Sequence, residues 1–178
     1  MVRIITSILL CVFCNYLNAQ QFLGKKGEIS FFSEAPMENI SAINKHVNAV
    51  YDATTKELVF QLRIEDFVFP KKLMQEHFNE NYLESDIYPL STFDGKIINS
   101  IEINDIMRTT VSGDLMIHGV TNFITVEGDF IEKDNNIYIS AAFSVELKDY
   151  DIDIPKIVFH NIAETIDVSV KIKLEPIK

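Results

Sequence analysis

The sequence of 178 residues predicts an all-β fold of antiparallel strands interrupted by one short helix. Three observations carry the prediction. Apolar residues alternate with polar ones along most of the chain, the period of a strand with one buried face. The alternating segments are joined by short turn sequences, which makes successive strands antiparallel neighbours. A single stretch, residues 67–89 (FVFPKKLMQEHFNENYLESDIYP), carries helical spacing instead.

Taken in order, the first nineteen residues read as an export signal rather than as part of the fold. Arg3 supplies the positive start, residues 4–17 an apolar run too short to span a bilayer, and Ala19 a small residue at the expected cleavage point. The domain is therefore expected over residues 20–178, in the periplasm or secreted. Its alternation begins with Ile29 and Phe31. Leu58, Phe60, Leu62 and Ile64 then share one face while Glu57, Gln61 and Arg63 share the other. In the helical stretch Pro70 is placed to open the helix, where its missing N–H is not needed. Met74, Phe78 and Tyr82 recur there at four-residue intervals, the apolar face of a lid. Val111, Leu115 and Ile117 alternate against Thr110, Ser112 and Asp114. The last strand sets Ile166, Val168, Val170, Ile172 and Leu174 against Thr165, Asp167, Ser169, Lys171 and Lys173. Turn sequences DATTK (52–56), HGVT (118–121) and KDNN (133–136) separate these runs. About eight strands with one apolar face each suit a sandwich or a barrel equally.

Composition narrows the function. The formal net charge of −10 repels nucleic acid and argues against a membrane held through a basic patch. Both cysteines, Cys11 and Cys14, fall within the leader, so the domain has no thiol for catalysis, disulfides or a cysteine metal site. The four histidines, His46, His77, His118 and His160, show neither His-x-His nor His-Glu-x-x-His spacing, and no metal or cofactor is expected. Asp149, Asp151 and Asp153 alternate as in a calcium loop, but Ile154 and His160 occupy the positions where glycine and glutamate are required, which leaves a solvated acidic segment. With the leader removed, no segment is suited to stable membrane insertion, and nothing in the sequence sets an oligomeric state.

The segments GEISFFS (27–33), MQEHFNENYLESD (74–86) followed by Tyr88-Pro89, and GDLMIHGVT (113–121) resemble the YceI-like family of polyisoprenoid- and lipid-binding proteins. The resemblance covers essentially all of residues 20–178. The third segment is the most specific, although Met116 stands where the family usually has threonine. The resemblance implies a lipocalin-like antiparallel β-barrel of about eight strands, closed by one short helical lid, with a lipid inside.

On that reading the inward apolar side chains hold the ligand: Phe31, Phe60, Leu115, Ile124, Ile139, Phe143 and Val168 in the wall, with Phe78 and Tyr82 at the lid. His118, on a turn of the most specific segment, is the candidate for a polar headgroup; its structural role would be to tie that turn to a backbone carbonyl. The expected function is carriage or sequestration of an isoprenoid or other lipid, a polyprenyl compound or quinone, without catalysis. Two other classes use the same residues: an enzyme on such a lipid with His118 or His77 as acid–base group, and a solid barrel that binds a protein. A tunnel, converging polar groups or a filled interior would tell the three apart.

Overall fold

The computed structural model describes residues 20–34, 39–104, 106–154 and 163–177. The expected leader, residues 1–19, and His160 lie outside them. Eight strands follow in order: β1 (Gln21–Ser33), β2 (Ile40–Asp52), β3 (Glu57–Arg63), β4 (Leu90–Ile103), β5 (Ile106–Ile117), β6 (Val120–Lys133), β7 (Asn136–Glu146) and β8 (Thr165–Pro176). Each pairs antiparallel with the next, and β1 pairs with β8, so the sheet closes into a barrel. Of the two architectures that alternation allows, the barrel is the one formed.

The turns follow from backbone chemistry. His118 and Gly119 lie at φ 52 and 74, and Asp134 and Asn135 at φ 51 and 61, the left-handed pairs that two-residue hairpins require. The Tyr88 ring lies so close to Gly119 that a Cβ there would come within 2.6 Å of it, so this glycine is fixed by space as well as by φ. Strand β1 changes register at Gly24, Gly27 and Ile29. Such bulges sharpen the bend of a strand and help a sheet close.

The predicted faces are the observed ones, and they build two cores stacked along the barrel. At one end Phe22, Ala49, Leu58, Ile97, Val111, Phe130, Ile137, Ile139, Ile172 and Leu174 are buried against Tyr51, Phe60 and Phe93. We call this end the floor. At the other end Leu62, Ile64, Phe67, Phe69, Leu83, Val145 and Ile152 are buried around a more open interior, beneath the segment that connects β3 to β4. That segment contains the predicted lid helix, α1 (Lys72–His77), which winds on through a wider π turn over Phe78–Tyr82. The helix opens at Lys72 rather than at Pro70. Its N-cap, Lys71, is extended, and the Phe69 N–H donates to the Gln75 side chain at 3.3 Å, which holds residues 69–71 outside the helix.

Candidate functional site

Residues 67–69 form one bridge of strand before the helix. The Val68 N–H and C=O pair with Ile43 at 2.9 and 3.1 Å, so Val68 faces solvent while its neighbours Phe67 and Phe69 face the barrel. After α1, the Leu83 N–H reaches the Phe78 carbonyl at 2.9 Å, the five-residue step of a π turn. The widened winding keeps Phe78 and Tyr82, four residues apart, over the same opening as Met74. All three line the cavity below. The outer face carries Lys72 and Glu76, paired at 3.4 Å in solvent, a contact that adds a few tenths of a kcal/mol at most. What holds the lid down is apolar. The Phe78 ring lies 4.9 Å from Phe69 and 5.6 Å from both Phe31 and Phe67, centroid to centroid.

Beneath the lid is a cavity of about 470 Å³, within the range of small-molecule sites. Of the predicted residues, Phe31, Phe78, Tyr82, Leu115, Phe143 and Val168 line it. A deeper annex of about 100 Å³ is lined by Phe60, Ile124 and Ile139, with Leu115 and Phe143 shared between the two spaces. Sequence reasoning passed over Phe67, Phe69 and Phe93. The alternation Phe67-Val68-Phe69 just before Pro70 was the signal for the first two. Phe93 stands on a face shared with Ser91 and Gly95, whose small side chains hide the strand's apolar period.

Polar groups are few in the cavity wall, and most are already satisfied. The Ser33 hydroxyl accepts from the Ala163 N–H at 3.1 Å, and the Ser91 hydroxyl donates to the Met116 carbonyl at 2.8 Å. His77 and Tyr82 stand at the lid, where burial pushes the Tyr82 phenol up and keeps it protonated. No carboxylate, lysine or arginine is among the cavity's described lining residues. Among the described residues no group of three acidic, histidine or cysteine side chains is spaced to hold a metal ion.

His118 lines neither interior space. Its ring, 10% exposed, lies 3.2 Å through Nδ1 from the Tyr150 carbonyl and 3.0 Å through Nε2 from the Glu84 carboxylate, with the Tyr88 ring edge-on at 4.5 Å. Both partners accept, so filling both bonds takes an N–H on each ring nitrogen. The residue thereby joins three segments: the β5–β6 turn, the chain leaving the lid, and the 3₁₀ turn after β7. His46 pairs with Asp66 at 3.7 Å on the surface, away from the cavity.

The model of the YceI-like domain matches residues 20–174. The barrel superimposes on a polyisoprenoid binding domain from Saccharophagus degradans implicated in plant cell wall breakdown, with a TM-score of 0.75 and 13% identity over 89% of this chain and 99% of that one. It is similar to BcnA of Burkholderia cenocepacia, with a TM-score of 0.68 and 12% identity over 83% and 95% of the two chains. A YCEI protein of Campylobacter jejuni matches at 0.63 and 18% identity over 82% and 89%. These likenesses establish the shared fold. No curated protein has a sequence that matches this chain.

Proposed function

This chain belongs to the YceI-like family, and from that premise we propose that it binds an amphiphilic lipid with its apolar tail inside the barrel and its head at the lid. The single observation that carries the reading is the deep, largely apolar cavity of about 470 Å³ under α1. Each buried methylene contributes about 0.8 kcal/mol, so a tail of a dozen carbons contributes about 10 kcal/mol. Association costs at least about 4 kcal/mol, and the remainder of at most about 6 kcal/mol corresponds to an affinity of tens of micromolar at best, reached without one hydrogen bond. The polyisoprenoid-binding protein of the same fold supports an isoprenoid as the tail. A cavity wall whose described residues include no carboxylate, and whose serines are both engaged, supports carriage over turnover.

We further propose that the protein is exported. The support is the leader-like residues 1–19, together with a barrel and a family match that both begin right after them. The Gln20 carbonyl already accepts from the Ala53 N–H at 3.1 Å.

Native mass spectrometry of the protein recovered from a bacterial periplasm tests both points. The expected species begins near Gln20 and carries a lipid that organic extraction releases. Bare protein that also takes up no prenyl lipid from vesicles would remove the carrier reading. A retained leader, or a mass increment from acylation at Cys11 or Cys14, would replace a free carrier with a tethered protein.

A further inference from the structure

The half of the barrel away from the lid is nearly filled, with the annex of about 100 Å³ among Leu58, Val111, Phe130 and Ile139, and this limits what the other half can hold. Three glycines report how tightly the floor is filled. A Cβ on Gly24 would come within 2.8 Å of Ile172 and Leu174, and one on Gly27 within 2.6 Å of Ile172. One on Gly95 would come within 2.4 Å of the Phe93 ring, which lies across that bare stretch of backbone. Side chains that have settled onto glycine leave no space for a methyl group, let alone a prenyl chain. Phe60 and Phe93 pack on both cores and form the shelf between them.

Two independent estimates give the length of tail that fits above the shelf. Along β1 the cavity runs from Ser33 past Phe31 to Ile29, and Gly27 already belongs to the floor. The four steps from Ser33 to Ile29, at about 3.3 Å each and tilted by about 40°, give a depth of about 10 Å. An extended hydrocarbon advances about 1.25 Å per chain carbon, so this is about eight chain carbons, or two isoprene units along the axis. By volume, the cavity of about 470 Å³ holds roughly sixteen groups of about 30 Å³, the share of one water or one methylene; this is about three isoprene units when the tail fills the width as well as the depth. The annex of about 100 Å³ adds less than one unit more.

We infer that this barrel is a carrier of short prenyl tails, with a ceiling of about two to four isoprene units set by the Phe60–Phe93 shelf. The inference rests on the lipid-binding reading above and narrows it. A longer tail has to double back or leave through the mouth, where it competes with Phe78 for the contacts that close the lid.

The test offers phosphatidylcholine vesicles loaded with all-trans prenyl alcohols of two, three, four or eight units to the purified protein and measures the amount captured. A bilayer gains from every added unit, whereas the barrel stops gaining once it is full. Capture is therefore expected to be greatest at about three units and at least tenfold lower at eight. Equal capture of the three- and eight-unit alcohols overturns the ceiling while leaving the carrier reading in place. Capture of none overturns the carrier reading and the ceiling with it. Phe60→Leu, which lowers the shelf by a small change of volume, is expected to raise capture of the four-unit alcohol severalfold with little change for the two-unit one. No change at four units would remove Phe60 as the stop.

Discussion

The division between a packed floor and a hollow upper half makes the same substitution cost different amounts at two places on the barrel's inner face. Leu174 is fully buried in the floor. Leu115 is nearly as buried at 8% exposure, yet it borders both the cavity and the annex. Leu174→Ala removes three carbons, worth about 2.4 kcal/mol of transfer energy at about 0.8 each. It also leaves a void of roughly 80 Å³, which adds about 2 kcal/mol at about 24 cal/mol per Å³, for a total of about 4 kcal/mol. Leu115→Ala enlarges a void that already exists, so the second contribution is largely absent and the cost is about 2 kcal/mol. Urea unfolding at equal protein concentration reads the difference. With a slope of about 2 kcal/mol per molar, the midpoint of Leu174→Ala should lie about 1 M below that of Leu115→Ala, with the slopes unchanged. A bound prenyl alcohol should restore the contrast in the other direction: its stabilising increment persists in Leu174→Ala and shrinks in Leu115→Ala. Equal midpoints for the two variants, or a ligand increment lost only in Leu174→Ala, would refute the hollow-over-solid picture.

Three further outcomes are expected. Phe78→Ala loses three aromatic contacts, each worth about 0.5–1.5 kcal/mol, so it should destabilise the fold by about 2 kcal/mol and speed lipid release to vesicles about tenfold; unchanged release would remove the lid from the mechanism. His118→Ala orphans the Tyr150 carbonyl and should cost about 1–3 kcal/mol of stability, while capture of the three-unit alcohol per folded molecule stays within about threefold; a tenfold loss of capture at unchanged stability would return His118 to headgroup binding. Hydrogen bonds from Gln21, Thr55 and Thr54 hold the Asp52 carboxyl below its ordinary value of 3.8. Its contribution to stability is therefore complete above that value and lost as pH falls through the lower folded one, so acid unfolding curves of wild type and Asp52→Asn should converge below about pH 4, and curves that stay parallel would show that the turn is indifferent to this charge.

The strand faces and the lid were legible because each rests on a local period. Leu58, Phe60, Leu62 and Ile64 announce an inward row wherever the sheet goes, and Met74, Phe78 and Tyr82 announce a helical one. Closure was not legible from alternation, since the pairing of β1 with β8 depends on residues at opposite ends of the chain. It came from resemblance. Phe93 was hidden by Ser91 and Gly95, which break the apolar row; at Gly95 the Phe93 ring takes the space a side chain would have used. The partition of the interior was equally invisible: Phe31 and Ile172 obey the same alternation, and only packing reveals that one faces a void and the other a filled floor. For His118 the sequence supplied the residue and the turn but could not show Glu84, thirty-four positions away, waiting at 3.0 Å.

The closure of β1 on β8 sets an order of events for the chain as it is made. Seven of the eight pairings join strands that follow one another and can form as soon as each hairpin exists. The eighth brings Phe22 opposite Pro176, so the first strand to emerge has no second neighbour until the last has appeared. Closing so long a loop costs about 2 kcal/mol more in chain entropy than closing a hairpin of a dozen residues, and that cost is met only once, at the end. Until then the chain is an open ribbon with two bare edges, which threads through a narrow passage more readily than a finished barrel. A segment fused ahead of β1 sits at the seam that seals last, and a chain led by its N-terminus across a membrane would reach its closed form only after its final strand had crossed.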